Sequence, residues 1–510
     1  MGVRGLETFI EKYCPENCCY DVSIEELVEQ YREETGEDEP LMVIDTESTL
    51  RFLYKDLDWV CGGQFKEYLA RIRRFLDAFK SIGVQMVFFF GGSHPEVSRR
   101  NQFVANNKEK LDKISTLFSE LGKGANVDEV PKNLAQLPVN FGLLQILEVH
   151  FGCENFHKSL RPDGFFDFSK YFPAVANYVK QLPEGDALLE ALPDVAHRVF
   201  RNENLSSLLS VSIRNYLSPI KMSITETGNP EWDAILHEAE IFHRANINAT
   251  VILTVLSNKP NKESASLEDY GRIIVDLPPS AIICRPLRQR LYGIILKEKP
   301  KNVNPFFIHE WLVEGPVVEY EPFLVKPIVP TDQHPGLLTL WGNDRSPEMQ
   351  TIRWQLFTGA ISPDLNPTDL TGLPDYLILP SSALFYLAKR DVFEPWEIEA
   401  LMVTVITLPT VTLDELIDLC PDPVAPRAVH ITTVFLRSLN VVRELFNVVG
   451  FPISRRKIFS HPYFDGKLFQ ESYRRISNGE LAEDLCENKG SCAALYQTIH
   501  RILFEKKESQ

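Results

Sequence analysis

The alternation of apolar and polar positions predicts a strand, a helix and a second strand within the first ninety residues. Residues 41–44 form a short apolar run that ends at Asp45, and residues 84–90 form a second run that ends before a Gly-Gly pair. Between them, apolar side chains recur at helical spacing on one face: Phe65, Leu69, Ile72, Phe75, Leu76 and Phe79. A strand, a crossover helix and a strand make a βαβ unit, which predicts a parallel sheet covered by helices.

Asp45 is the candidate metal ligand of this predicted sheet. Ligand sites in parallel sheets lie at the carboxyl ends of the strands, which is where Asp45 stands. A carboxylate there, beside a basic helix, suggests Mg²⁺-dependent phosphodiester cleavage, but such sites need several carboxylates. The second strand ends in Phe90-Gly91-Gly92 instead of an acid. Asp45 is therefore either one ligand of an incomplete site or a cap on the following turn.

Charge is distributed unevenly along an acidic chain. The 510 residues carry 70 acidic and 53 basic side chains, a formal net charge of −17, which argues against a chain built mainly to coat phosphate backbones. Residues 66–113 nevertheless carry 10 basic and 5 acidic residues. The nucleic-acid-binding candidates in this stretch lie on the first helix and on a second helix predicted over residues 96–121: Arg71, Arg73, Arg74, Arg99 and Arg100. A solvated helix face is the alternative interpretation.

The second half of the chain is predicted to be mixed and then mostly helical. Short apolar runs at residues 281–284 and 291–296 favour strands, and the proline-rich run at 315–336 favours a long connector. Between the two predicted strands lie Arg285, Arg288 and Arg290, followed by Tyr292. Arginines interleaved with an aromatic ring could contact RNA through charge and stacking, or could pair with acids of their own domain.

Composition places the chain among folded globular proteins. It is 44% hydrophobic and 24% charged, and its longest mostly apolar run, residues 401–408, is shorter than the ~20 residues that span a bilayer. Its nine cysteines form neither paired metal knuckles nor a secreted disulfide framework, which favours the cytosol or nucleus. No membrane contact is predicted.

Several blocks resemble one protein family. Residues 1–6 (MGVRGL) and 43–45 (VID) resemble the XPG and flap-endonuclease branch of the PIN-like nucleases. More specifically, blocks in one order over most of the chain are similar to the constitutive coactivator of PPAR-gamma family: residues 1–6, 14–15 (CP), 58–64 (DWVCGGQ), 87–90 (VFFF), 277–279 (LPP), 285–293 (RPLRQRLYG) and 463–469 (YFDGKLF).

This resemblance implies a fold and a domain order. It implies an α/β fold, a PIN-like parallel sheet covered by helices, in residues 1–216, truncated by the loss of its central acidic segment. A linker over 217–232 and a family-specific, mixed α+β but mostly helical domain over 233–510 would follow. Catalytic flap endonucleases carry an acid where this chain has Gly91, and their later acid-rich blocks have no counterpart. Asp45 would then be vestigial.

The function predicted from these observations is that of a non-catalytic scaffold or coactivator in the nucleus, the cytoplasm or both. Its partners would be proteins such as transcription regulators, and RNA bound through the residue 66–113 face and through Arg285, Arg288 and Arg290. No cofactor is expected. Two alternatives stay open: a structure-specific nuclease that uses Mg²⁺ or Mn²⁺ at Asp45, and a pure protein-interaction scaffold.

Overall fold

A computed structural model shows two regions of the chain in detail, one within residues 22–89 and one within residues 261–505. The described stretches are residues 22–36, 40–45, 52–54, 61–89, 261–262, 280–295, 308–311, 313–314, 317–318, 323–330, 334–336, 339–340, 344–420, 424–453, 462–487 and 490–505, with isolated positions between them. The predicted linker at 217–232 and the predicted helix at 96–121 lie outside these stretches.

The first region is a small unit of two helices and two strands. Its elements in chain order are α1 (Ile24–Thr35), β1 (Leu41–Asp45), α2 (Phe65–Ser81) and β2 (Gln85–Phe89). The strands pair in parallel, with Leu41 opposite Gln85 and Asp45 opposite Phe89. A small cluster of Val28, Phe79 and Val84 joins α1, α2 and the start of β2. The predicted strand, helix and strand are thus confirmed as local elements.

The remaining described elements are short strands and a large set of helices. They are β3 (Asn261–Lys262), α3 (Ser280–Ile295), β4 (Ile308–Trp311), β5 (Val313–Glu314), β6 (Val317–Val318), β7 (Phe323–Val325), α4 (Pro347–Ile361), α5 (Pro367–Thr371), α6 (Asp375–Arg390), α7 (Pro395–Thr407), α8 (Leu413–Asp418), α9 (Pro426–Val448), α10 (Gly466–Ser477), α11 (Asp484–Glu487), α12 (Cys492–His500) and a π-helix (Arg501–Glu505).

The main core lies among the helices of the second region. The long helix α9 packs against α3, α4, α6 and α10, and α7 packs against α6, α10 and α12. The buried side chains of these helices form one continuous apolar cluster. Helix starts follow local sequence rules: Pro347 and Pro395 occupy first-turn positions, where a missing N–H costs no helical hydrogen bond. The predicted helical character of the C-terminal part is confirmed.

The predicted fold class is wrong for the described residues. They are predominantly helical, and their parallel pairing amounts to β1 with β2 and the two-residue β3 with β4. A PIN-like sheet needs a row of parallel strands with helices on both faces. Here one βαβ unit stands beside a helical core instead, because burial in the second region is achieved by helix-on-helix packing.

Two local predictions in the second half are also wrong. Apolar runs predict strands at residues 281–284 and 291–296, but Ser280–Ile295 is one helix, α3. Its buried Ile283, Leu287 and Leu291 recur every four residues, a helical spacing that short apolar runs conceal. The predicted connector at 315–336 contains β6 and β7, which pair with β5 and β4. No described helix is long and apolar enough to cross a membrane.

Candidate functional site

A tight turn between residues 61 and 64 leads into α2. Gly62 and Gly63 have φ values of 105° and 106°, a left-handed region that glycine enters without strain. The Gln64 backbone N–H donates to the hydroxyl of Tyr54 over 3.2 Å, and Tyr54 itself is fully buried. Phe65, the first residue of α2, belongs to the main core of the second region. The turn and the start of α2 therefore pack the first region against the second.

The segment that receives this turn is the start of α10. Asp465 is its N-cap residue, and one carboxylate oxygen accepts from the backbone N–H groups of Lys467 and Leu468 over 3.1 and 3.3 Å. Just before it, Phe464 packs against Phe435 of α9, with ring centroids 5.7 Å apart. Residues 463–469 are thus fixed to the helical core, and the turn packs against them.

The two segments meet backbone to backbone, and we name this contact the junction: residues 61–66 against residues 463–469. The Gly466 N–H donates to the Gly63 carbonyl over 2.6 Å. A Cβ atom at Gly466 would lie 2.3 Å from the Cys61 carbonyl oxygen, and one at Gly62 would lie 2.6 Å from a methyl carbon of Thr432 in α9. The close approach therefore requires glycine on both sides.

Two lysines extend the junction to the segment around α8. The Lys66 ammonium donates to the carbonyl oxygens of Leu408, over 2.9 Å, and of Val411. The Lys467 ammonium donates to the carbonyl of Ile417 over 3.3 Å. Leu408 is the C-cap residue of α7 and Ile417 lies in the last turn of α8, so each cation binds a carbonyl group at a helix end.

Burial governs the electrostatics of the junction. Desolvation raises the pKa of Asp465 to about 6, against the two backbone N–H groups and the Lys467 charge that lower it, while the Glu67 carboxylate raises it further. Desolvation also raises the pKa of the Tyr54 phenol well above its usual range, so it stays neutral. The junction therefore holds a carboxyl group whose pKa is raised into the mildly acidic range.

The predicted site residues of the first region end up in different places. Asp45 is the last residue of β1 and lies opposite Phe89 in register, while its side chain is outside the described set. Arg71 pairs with Glu67 one turn earlier on α2, over 3.0 Å. Arg73 and Arg74 are exposed on the same helix. Arg99 and Arg100 lie outside the described residues.

The arginines of the second half lie on α3, where the sequence predicts a strand edge. Arg288 is 3% exposed, and Arg285 is partly buried. The Arg290 guanidinium donates to the carbonyls of Ala360 and Ile361, over 3.1 and 2.8 Å, at the end of α4. Arg290 thus caps a helix within the core, and burial lowers the pKa of its guanidinium.

Two other features of the described residues provide fewer reactive or ligating groups for a binding or catalytic site. An open depression of about 560 Å³ lies between α5 and the π-helix, next to Thr368, Thr498 and Arg501. The Thr498 hydroxyl already donates to the Ala494 carbonyl within its own helix. Among the residues that the structure describes, no three His, Cys, Asp or Glu side chains come together as a metal site.

Sequence reasoning did not identify the junction. The blocks 58–64 and 463–469 carry the family resemblance, yet nothing in either block says that the two meet. The available signal is the glycine content of both, since paired glycines mark a turn or a close backbone approach. That signal indicates that the backbone turns or approaches another segment closely at both blocks. It does not indicate that the two blocks contact each other.

Comparison with known proteins relates the chain to coactivators. It is 22% identical to the constitutive coactivator of peroxisome proliferator-activated receptor gamma of Bos taurus, across 99% of this chain and 95% of the bovine one. The chain is thus similar along its length to a protein of that name. The alignment has 674 positions against 510 residues here, so the bovine protein contains segments that this chain lacks.

Other similar proteins align with a smaller share of this chain. The Mus musculus protein of the same name is 36% identical over 140 residues, 26% of this chain and 18% of the mouse one. Constitutive coactivator of PPAR-gamma-like protein 1 of Homo sapiens is 24% identical over 58% of this chain and 28% of its own. No family model and no solved structure matches the chain. The predicted resemblance to these coactivators is confirmed, whereas the predicted PIN-like domain is not.

Proposed function

We propose that this chain is a coactivator that acts as a protein-binding scaffold in the nucleus, on a receptor of the peroxisome proliferator-activated type. The observation that carries the proposal is the similarity to the bovine coactivator over 99% of the chain. The receptor is taken from the names of the similar proteins. A scaffold needs a fixed arrangement of its surfaces, and the junction supports one by joining the first described region to the second.

We also propose that the chain has no nuclease activity. Two-metal phosphodiester cleavage needs carboxylates clustered around both ions. The neighbour of Asp45 on the adjacent strand is Phe89, followed in sequence by Phe90 and Gly91. An apolar side chain at this position supplies no ligand, which favours binding over catalysis.

The test measures receptor binding and transcription together. Purified chain is titrated onto the purified receptor, and a receptor-driven reporter is measured in cells that express the wild type, Gly466→Ala or Gly359→Ala. We expect binding and activation with the wild type and with Gly359→Ala, since a Cβ at Gly359 meets nothing within 4 Å. Gly466→Ala should lower both, because the junction cannot close. A wild type that neither binds nor activates would contradict the proposal.

RNA binding is a second candidate, and the exposure of Arg73 and Arg74 on α2 favours it. Two adjacent exposed cations can contact successive phosphates along a strand, and the surrounding stretch is basic in an otherwise acidic chain. Single-stranded RNA titrated at several salt concentrations tests it. Salt-independent binding, or none, would remove this candidate and leave the protein scaffold.

A further inference from the structure

Asp465 is a carboxylic acid that junction closure removes from water. Its side chain is 1% exposed, and the next residue, Gly466, lies in direct backbone contact with residues 61–63. Separating the two segments would open this carboxyl group towards solvent, since residues 61–63 lie directly against its neighbour Gly466. The protonation of Asp465 and the closure of the junction are therefore physically linked.

The groups around Asp465 determine the direction of this linkage. Removal from water penalises the ionised carboxyl, and the Glu67 carboxylate on α2, across the junction, adds repulsion. The N–H groups of its own helix and the Lys467 ammonium act in the opposite direction. Burial is the largest of these effects, so the closed junction favours the neutral acid.

The other elements packed around the junction contribute neutral groups. Residues 52–54 contribute Tyr54, which stays un-ionised because burial raises the pKa of its phenol. Helix α9 places Thr432 against Gly62, and threonine does not titrate. Cys61 of the turn is buried beside Tyr54. The charged groups among the described residues of the junction are Glu67 of α2, Lys467 beside Asp465, and Lys66, whose ammonium binds the carbonyls of Leu408 and Val411.

We propose that closure of the junction takes up a proton at Asp465, so that residues 61–66 and α10 hold together more tightly in mild acid than at neutral pH. An open junction leaves Asp465 as an ordinary solvated acid, which is ionised at pH 5, whereas the closed one binds the proton there. The closed junction is therefore stabilised relative to the open one as pH falls below about 6. This stabilisation is lost again as pH rises to about 6. Between pH 7.5 and pH 5 the closing equilibrium should strengthen about ten-fold.

Hydrogen exchange on the full chain tests the proposal. The Gly466 N–H is protected by the Gly63 carbonyl only while the junction is closed. Its protection factor, corrected for the intrinsic pH dependence of exchange, is measured by mass spectrometry from pH 5 to 7.5 in the wild type and in Asp465→Asn. We expect protection to rise about ten-fold towards pH 5 in the wild type and to stay constant in Asp465→Asn. Equal pH profiles in the two proteins would overturn the proposal.

A second pair of variants decides the question if Asp465→Asn does not fold. Glu67→Gln removes the repelling carboxylate from α2 and should lower the pH at which the wild-type protection begins to rise. Glu348→Gln removes an exposed acid from the first turn of α4, far from the junction in sequence, and should leave this onset in place. An onset that does not respond to Glu67→Gln would also overturn the proposal.

Discussion

The Gly466 N–H donates to the Gly63 carbonyl over 2.6 Å, across an approach so close that a side chain on Gly466 would meet the opposite backbone. This single backbone bond joins a strand-and-helix unit near the start of the chain to the helical core near its end. The bond places the turn that precedes α2 directly against the first residue of α10.

Gly466→Ala should destabilise the folded protein by about 1–3 kcal/mol, because its new Cβ would meet the Cys61 carbonyl at 2.3 Å and force the backbones apart. Gly359→Ala is the matched control. It adds the same methyl group in open space within α4 and should stabilise by about 0.5–1 kcal/mol. Chemical denaturation gives both values, and a Gly466→Ala protein as stable as the control would contradict the close approach.

Lys66→Met should cost about 1–3 kcal/mol, since the carbonyls of Leu408 and Val411 lose their ammonium donor while the aliphatic stem is kept. Lys80→Met, on the exposed side of the same helix, should change the free energy of unfolding by less than about 0.5 kcal/mol. Urea unfolding curves of the two variants compare them directly. Similarly small losses in the free energy of unfolding for Lys66→Met and Lys80→Met would mean that the Lys66 hydrogen bonds contribute nothing measurable to stability.

Glu397→Ala should be among the most damaging single changes in the helical core. Its buried carboxylate accepts from both sides of the Arg427 guanidinium, at 2.8 Å for one of the two bonds, and from the Tyr473 hydroxyl at 3.4 Å, which ties α7 to α9 and α10. Because the Arg427 guanidinium that stays behind is partly exposed, the expected loss in the free energy of unfolding is about 1.5–3 kcal/mol. The drop in the thermal unfolding midpoint of Glu397→Ala measures this loss of stability.

The exposed pair of Arg474 and Glu471 provides the comparison for that prediction. Its bonds are as short as 2.7 Å, yet solvent reaches both groups, so Glu471→Ala should cost less than about 1 kcal/mol. If the two substitutions proved equally costly, burial would not be what makes the Glu397 pair important.

If the chain binds RNA, as the second candidate function requires, Arg73→Glu with Arg74→Glu should weaken that binding and reduce the salt dependence of the binding constant. The slope of log K against log salt should fall by about 1 for each phosphate that is no longer neutralised. Arg474→Glu with Arg475→Glu changes the net charge equally on another helix, where both arginines already pair with acids. Fluorescence anisotropy with labelled single-stranded RNA measures both. Equal weakening of RNA binding by the two double variants would mean that net charge alone, and not the position of Arg73 and Arg74, determines the binding.

Local elements with a clear period were predictable from sequence, and most chemistry-bearing side chains were not. Helix α2 and the strands ending at Asp45 and Phe89 follow directly from apolar spacing. Helix α3 was missed because its apolar residues fall into two short runs around Arg285, Arg288 and Arg290, and such runs suit a strand equally well. Whether an arginine faces solvent or a helix end depends on neighbours that spacing does not reveal.

The amino-acid sequence by itself determined the strand, helix and strand of the first ninety residues, the helical character of the last part of the chain and the resemblance to the coactivators. The tertiary structure alone decided that residues 61–66 and 463–469 meet, that Arg290 caps α4 and that Asp465 lies out of water. The reason is physical. Helices and strands depend on neighbours a few residues away, whereas burial and the pKa of a carboxyl group depend on which distant segment covers it.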